Sequence, residues 1–182
     1  MIKSIAFVEL NSIARGFETA DYMVKAAAVE LVYAKTVCPG KYIIMVAGDV
    51  AAVKASLEVG RAHGGSFVVD SFKISNLDSQ VIYALNAVTQ VSEPKAVGVV
   101  EYFSVAEAIL GADTACKAAD VELVEIRPGI AIGGKSFFVL TGSVSSVQSA
   151  VDSALTMGAD RGLTVGYCVI PSPSKELYES LL

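Results

Sequence analysis

The chain has 182 residues, of which 53% are hydrophobic and 18% are charged, and its formal net charge is −5. A chain of this length and composition can bury one medium core or two small ones, which excludes intrinsic disorder. Because phosphate contacts need clustered Lys and Arg, an acidic chain without a basic run is poorly suited to bind nucleic acid.

The start of the chain passes directly into a strand-like run at 5–9, with no apolar segment and cleavage site before it. We therefore expect no export. The three cysteines, Cys38, Cys116 and Cys168, are odd in number and widely spaced, which favours reduced thiols over a disulfide framework. These observations predict a cytoplasmic protein.

The first half of the sequence predicts six elements in the order β-α-β-β-α-β. The helices are rich in Ala and carry apolar residues at helical spacing. The second helix is expected to begin after Asp49, whose carboxylate can accept from free backbone N–H groups, and to stop at Gly64-Gly65. The predicted strands are 5–9, 29–34, 42–47 and 67–74, and the predicted helices are 13–27 and 51–63.

The second half repeats the first. One constant offset relates Glu9 to Glu101, Lys25 to Lys117 and the run VELV at 29–32 to the same run at 121–124. After a change in loop length, Lys41 matches Lys135 and Gly48 matches Gly142. We therefore predict a duplicated domain divided into 1–92 and 93–182. The seam falls at Val91-Ser92-Glu93-Pro94, where a proline and a charge interrupt the pattern.

The repeated order predicts an α+β fold for each half. Each half should form a ferredoxin-like antiparallel sheet with its helices on one face. Ser143 replaces Asp49 before the second helix of the second repeat, where its hydroxyl can serve the same cap. The remaining predicted elements are strands at 97–101, 121–126, 137–141 and 163–170 and a helix at 105–119.

The mean hydropathy is +0.56, which is high for a water-soluble chain. The longest uncharged stretch, 136–151, is interrupted by Gly, Ser, Thr and Gln and therefore predicts no membrane-spanning helix. We expect the excess apolar surface to face other protein chains instead, which predicts an oligomer.

Two motifs connect the sequence with a known family. The run KAAxVELV from Lys25 and the later Gly48-Asp49-Val50 resemble the bacterial microcompartment shell domain, in both halves and in unpermuted strand order. The resemblance implies a non-enzymatic tile in the microcompartment shell. It also implies a homotrimer that mimics a hexamer and packs against other shell proteins. The loop from Thr36 to Lys41 and the tail 169–173 look most like the T-type tandem members found in propanediol-utilisation compartments and their relatives.

The resemblance implies that the loops between the second and third strands line a central pore. In the first half the pore loop comprises Thr36, Val37, Cys38, Pro39, Gly40 and Lys41; the second-half loop, 128–135, is longer and has no cysteine. T-type relatives hold a 4Fe–4S cluster at this place. Three Cys38 thiolates, one from each chain, would hold one cluster per trimer. The expected task is electron transfer across the shell or replacement of the clusters of enzymes inside, with an encapsulated redox enzyme as a further partner.

Other interpretations of the same residues stay open. Cys38 could be a buried cysteine without a task, although Pro39 and Gly40 favour a turn. Cys116 and Cys168 are expected in the core. Lys25 and Lys117 fall in the last helical turn, where a cation suits the helix dipole, and the resemblance implies that they lie at the tile edge.

Glu9 and Glu101 occupy equivalent positions, so we expect structural roles for them rather than acid–base chemistry. A Cys38–His63 nucleophile pair lacks a supporting third group, which leaves a thiol enzyme as the weakest interpretation. Two further functions remain: a metabolite pore whose selectivity depends on Thr36 and Lys41, and a tandem ligand-binding regulatory module.

Overall fold

The structure, a computed structural model, describes residues 4–89 and 95–180. The chain forms two compact units, the first unit Met1–Leu77 and the second unit Asp78–Leu182. Residues 78–89 therefore pack with the second unit, although they fall within the predicted first domain, 1–92. The predicted seam at Val91–Pro94 lies outside the described residues.

The first unit has the predicted β-α-β-β-α-β order. Its sheet runs β2-β3-β1-β4, and each neighbouring pair is antiparallel. Its elements are β1 (Ser4–Leu10), α1 (Ile13–Ala26), β2 (Val29–Val37), β3 (Lys41–Gly48), α2 (Val50–Gly64) and β4 (Val68–Ser75).

The second unit repeats this order between two additional short helices. Its sheet runs β6-β7-β5-β8 and is again antiparallel, which confirms the predicted tandem α+β fold. Neither α3 nor α6 was predicted, because so short a helix carries little periodic signal. The elements are α3 (Ser79–Leu85), β5 (Ala96–Tyr102), α4 (Val105–Ala118), β6 (Val121–Pro128), β7 (Ser136–Gly142), α5 (Val144–Gly158), β8 (Thr164–Ile170) and α6 (Lys175–Glu179).

Local sequence signals account for the helix ends. The Ser143 hydroxyl accepts from the Ser146 N–H at 3.1 Å, as predicted for a cap. The same prediction for Asp49 is wrong: its side chain makes no cap hydrogen bond. Asp49 is exposed, so water can solvate its carboxylate. Gly65 ends α2 as predicted, with a φ of +54° that favours glycine.

The first core lies between the sheet and the helices α1 and α2. Met23 of α1 is fully buried, and Gly60 of α2 allows its side chain to pass closely. Burying a side chain of this size contributes about 2 kcal/mol to folding. The cluster comprises Ala6, Val8, Leu10, Ala20, Met23, Tyr42, Ile44, Val46, Val53 and Leu57.

The second unit buries side chains on both faces of its sheet. Gly98 of β5 faces α5, where an added Cβ would meet Val147 and Val151. Because strand side chains alternate, Val97 points to the opposite face. There it joins a small cluster that includes Tyr178 of α6. Tyr178 thus anchors α6 to its own sheet. No helix among residues 4–89 and 95–180 is both long and apolar enough to cross a membrane.

Candidate metal-binding turn between β2 and β3

Cys38 lies at the tip of the β2–β3 hairpin. β2 ends at Val37 and β3 begins at Lys41, so only residues 38–40 form the turn. The observed turn is therefore shorter than the predicted loop, because Thr36 and Val37 still pair with β3. The hairpin lies where it was predicted, but its ladder extends further toward the tip than expected.

The turn places Cys38 partly at the surface. Cys38 is a free cysteine and half-buried, the peptide bond to Pro39 is cis, and the preceding Val37 is buried. Gly40 has a φ of +74°, and an added Cβ there would meet nothing within 4 Å. Glycine is thus required by the backbone conformation rather than by lack of space. The outer side of the turn is open.

An ion pair holds the base of the hairpin. Lys41 Nζ lies 2.7 Å from Glu9 Oε1, and the Glu9 side chain is only 2% exposed. The second repeat has the equivalent pair, Lys135 with Glu101 at 3.0 Å, and there Glu101 is about a third exposed. Both glutamates thus have structural partners, as expected. Because Lys41 is paired with Glu9, its charge is partly neutralised, which weakens the case for Lys41 as a selectivity residue.

The hairpin of the second unit is built differently. Between Pro128 and Ser136 the chain makes a seven-residue connection, 129–135, with four residues at positive φ. Three of these are glycines and the fourth is Ala131. Ile130 is exposed, and the connection contains no cysteine. The predicted difference in length between the two loops is confirmed.

Cys38 suits an iron–sulfur cluster as a donor, but a single chain cannot supply the whole site. Iron–sulfur clusters are held mainly by cysteine thiolates, and Cys38 presents one at an open turn. Within residues 4–89 and 95–180, no group of three or more His, Cys, Asp or Glu side chains could hold a metal ion. A cluster at Cys38 would therefore need ligands from further chains.

The other two cysteines differ from expectation. Cys168 is exposed, so its predicted place in the core is wrong, and the reason is that β8 is the edge strand of its sheet. Cys116 is half-buried rather than core. The pKa of the Cys116 thiol is raised to about 12, mainly by burial. The negative charges of Asp78 and Asp113 raise it further, and the positive charge of Lys117 lowers it. At neutral pH the Cys116 thiol is therefore protonated and a poor nucleophile.

The two predicted edge lysines pair in the same way within their helices. Lys25 lies 2.5 Å from Asp21, and Lys117 lies 2.5 Å from Asp113. Their surroundings differ, because Lys25 and Asp21 are both exposed, whereas Asp113 is nearly buried and also accepts from the Asp78 N–H at 2.9 Å.

His63 has a packing partner. Its ring stacks on Tyr22 of α1, with the centroids 3.7 Å apart and the planes 12° from parallel. This contact connects the end of α2 to α1. A structural role accounts for His63, and the thiol-enzyme interpretation gains no support.

The fold and the repeated hairpin define a tandem shell-type architecture, and comparison with known proteins agrees. A model of the BMC domain matches residues 4–77 and again 96–173. The chain therefore belongs to the BMC-domain family of bacterial microcompartment shell proteins.

Particular relatives match over the whole chain. The bacterial microcompartment shell protein PduT of Citrobacter freundii is 40% identical over 100% of this chain and 99% of its own length. A microcompartment protein of Desulfitobacterium hafniense DCB is 49% identical, with a TM-score of 0.93 over 98% of this chain and 99% of that chain.

A more distant structure is similar over most of the chain. The fused permuted hexameric shell protein of the RMM microcompartment is 25% identical, with a TM-score of 0.62, and the match covers 86% of this chain and 84% of that one. Together these comparisons confirm the predicted family and its place in a microcompartment shell. They favour a shell tile over a regulatory ligand-binding module.

Proposed function

We propose that this shell tile works as a homotrimer whose three Cys38 thiolates hold one 4Fe–4S cluster at a central pore. The observation that carries the proposal is the asymmetry of the two hairpins. An open three-residue turn presents a thiol in the first unit, and a seven-residue connection without cysteine replaces it in the second. Around a threefold axis, equivalent turns would bring three thiols together and no more.

The chain's own residues prepare this turn for a ligand role. The pair between Lys41 and the buried Glu9 carboxylate fixes the start of β3, and the β2–β3 ladder continues to Val37. Cys38 therefore projects from a rigid base, which favours ligation because little side-chain and backbone freedom is lost on binding. When bound, such a cluster supplies one-electron chemistry. The fourth iron would take its ligand from outside the three thiols.

The proposed function is electron transfer across the shell, without enzymatic activity of the chain itself. Its partners would be other shell proteins, which meet the tile near Lys25 and Lys117, and an encapsulated redox enzyme that exchanges electrons with the cluster. Lys25 suits an edge role because its side chain is 70% exposed and pairs with Asp21, which is also exposed. Such an exposed charge contributes less than about 1 kcal/mol unless the contact excludes water.

Anaerobic purification of three proteins tests the proposal. The wild-type protein is expected to contain four irons per three chains and to give the visible absorbance and electron paramagnetic resonance signals of a 4Fe–4S cluster. Cys38→Ser should lose iron and both signals while remaining a trimer. Cys168→Ser is the matched control, because Cys168 is also a free cysteine and is exposed. The Cys168→Ser protein should keep its iron, both spectroscopic signals and the trimer.

Each outcome decides one part of the proposal. An iron-free wild-type trimer that cannot be reconstituted would remove the redox function and leave the tile. Loss of the trimer in Cys38→Ser would make Cys38 a structural residue. A cluster that survives Cys38→Ser would overturn the assignment of the ligand.

A further inference from the structure

The connection 129–135 between β6 and β7 has an unusual backbone conformation. Four of its residues have positive φ, between +52° and +83°, and the two isoleucines among them, Ile130 and Ile132, do not. Where left-handed residues alternate with others, successive backbone N–H groups turn toward one side of the chain and form a concave site for anions. Many phosphate and iron–sulfur sites use such concavities. The four left-handed residues are Gly129, Ala131, Gly133 and Gly134.

Ala131 shows that this conformation is kept at a cost. Its φ is +60°, a region that residues with a Cβ adopt only under strain. Strained backbone of this kind is found mainly at functional sites. Gly133 adopts its φ of +67° without strain, and an added Cβ there would meet nothing within 4 Å. The connection is therefore shaped by its backbone conformation and is open on its outer side.

Two exposed apolar side chains lie at this end of the second unit. Ile130 in the connection is 47% exposed. Phe103 follows Tyr102, which pairs with Ser136 at the start of β7, and it is 56% exposed. The counterpart of Phe103 in the first repeat is the polar Asn11. Apolar side chains beside a site for anions exclude water from the bound group and thereby tune it.

The equivalence of the two hairpins relates the connection to the Cys38 turn. The last ladder pairs at equivalent positions are Thr36–Tyr42 and Pro128–Ser136. Beyond these pairs the first hairpin has five residues and the second has seven. One additional residue on each side lengthens a hairpin by about 3 Å. If three Cys38 turns surround an axis, the equivalent hairpins of the second repeat alternate with them and reach further inward.

We infer that the connection 129–135 of each chain lies against the cluster held by the three Cys38 thiolates, where its N–H groups donate to the cluster and Ile130 excludes water. This inference deepens the proposed function and rests on it. Three thiolates give such a cluster a net negative charge, which suits a concave set of N–H donors. Hydrogen bonds to the sulfurs and exposure to solvent both set the reduction potential of a cluster. The second repeat therefore tunes a cluster whose ligands come from the first.

Ile130→Ser tests the exclusion of water. Loss of iron to a chelator such as EDTA should become about tenfold faster, as is typical when the shell around a metal site is changed. The matched control is Val144→Ser, because Val144 is 48% exposed and Ile130 is 47% exposed. Val144 follows the far end of β7, away from the connection. The control should lose iron at the wild-type rate.

Gly133→Ala tests the backbone conformation. Alanine is strained at a φ of +67°, so the N–H groups should reorient and their hydrogen bonds to the cluster should weaken. Because these bonds stabilise the more negative, reduced cluster, the reduction potential should fall in a titration followed by electron paramagnetic resonance. Gly162→Ala is the control, since Gly162 has a φ of +62° and equally open surroundings. It should keep the wild-type potential.

A protein without the cluster separates tuning of the cluster from contact between chains. In the Cys38→Ser background, adding Ile130→Ser should change neither the trimer in sedimentation equilibrium nor the Tm. Far-UV circular dichroism checks that each variant is folded. A cluster-free trimer that dissociates on Ile130→Ser would make Ile130 a contact between chains and would overturn the inference.

Failure of the inference can be distinguished from failure of the proposed function. An iron-free wild-type trimer that cannot be reconstituted overturns both. A wild-type trimer with a cluster, whose iron loss and potential do not change in Ile130→Ser and Gly133→Ala, overturns the inference and leaves the proposed function. Equally fast iron loss in Ile130→Ser and Val144→Ser also overturns the inference, because the effect would not depend on the connection.

Discussion

The β2–β3 hairpin of the first unit and the β6–β7 hairpin of the second have equivalent ion pairs at the base and different turns at the tip. Each is pinned by a lysine that pairs with a glutamate on the first strand of its unit, Lys41 with Glu9 and Lys135 with Glu101. Beyond these pairs, one turn has three residues and a thiol, and the other has seven residues and none. The two repeats thus keep the same ion pair at the base and differ at the tip, as expected because loops vary more than the elements they connect.

The two units share one fold, but the large aromatic ring in the core comes from a different strand in each. In the first unit the large ring comes from β3, where Tyr42 packs against Gly16 of α1. In the second unit it comes from β5, where Tyr102 packs against Gly111 of α4, and Ser136 takes the position of Tyr42. Each ring needs a glycine opposite it because close-packed interiors leave no room for an additional methyl group.

The largest expected difference in stability is between two ion pairs, one on α1 and one on α4. Arg15 of α1 and Glu107 of α4 hold equivalent positions. Glu107 is fully buried and forms an ion pair with Arg161, whereas Arg15 forms an exposed pair with Glu18. Arg161→Met would leave a buried carboxylate without its cation, which should lower the free energy of unfolding by about 3 kcal/mol.

The matched variant is Arg15→Met, which removes a pair in solvent and should cost less than about 0.5 kcal/mol. Urea unfolding of both proteins measures the difference. Equal losses would show that the two pairs are equivalent and that burial of Glu107 does not control its energetics.

A second prediction compares the two hairpin anchors. Lys41→Met leaves the buried Glu9 carboxylate unpaired and should destabilise the protein by about 2 kcal/mol. Lys135→Met affects the more exposed Glu101 and should cost less than about 1 kcal/mol. Urea unfolding gives both values.

Hydrogen exchange sharpens this test. Faster exchange at the Lys41 end of the β2–β3 ladder in Lys41→Met would locate the loss at the hairpin. A Lys135→Met variant with the larger destabilisation would contradict the assigned difference in burial.

The third prediction, Gly16→Ala, has a smaller expected effect than Arg161→Met and Lys41→Met. The added methyl group would overlap the Tyr42 side chain, and overpacking should cost about 1 kcal/mol after the helical preference of alanine is counted. The second unit has Ala108 at the position of Gly16 and Ser136 at the position of Tyr42.

The control replaces the ring as well. The atoms nearest to the added methyl group are the Tyr42 Cβ, Cγ and Cδ1, so the control must remove the whole side chain. In the double variant Gly16→Ala/Tyr42→Gly, the penalty for the methyl group should vanish relative to Tyr42→Gly alone, in a double-mutant cycle measured by urea unfolding. An unchanged penalty would show that the methyl group clashes with something other than Tyr42.

The sequence predicted the fold because local pattern and tertiary structure agree over most of the chain. The duplicated runs around Lys25 and Lys117 established two copies of one domain, and Gly65 ends α2 as predicted. Cys38 was singled out by its turn residues and by resemblance. The position of Cys168 was missed because strand periodicity cannot distinguish an edge strand from a central one.

The missed elements share a physical cause. α3 and α6 are too short for helical periodicity to be visible, and their stability depends on packing against a sheet. No sequence pattern around Gln80 predicts that its side-chain amide will pair with the edge of β6. That contact depends on residues more than forty positions apart, which no local pattern encodes.

The sequence by itself determined the duplication, the order of elements in each repeat and the single cysteine in one hairpin, since these follow from residue identity and spacing. Only the tertiary structure decided that Glu9 is buried against Lys41, that the edge of β6 is covered and that the edge of β2 is open. Burial and strand pairing are properties of neighbours in space, and equivalent residues in the two repeats have different neighbours. Two nearly identical patterns can therefore fold alike and still present different surfaces.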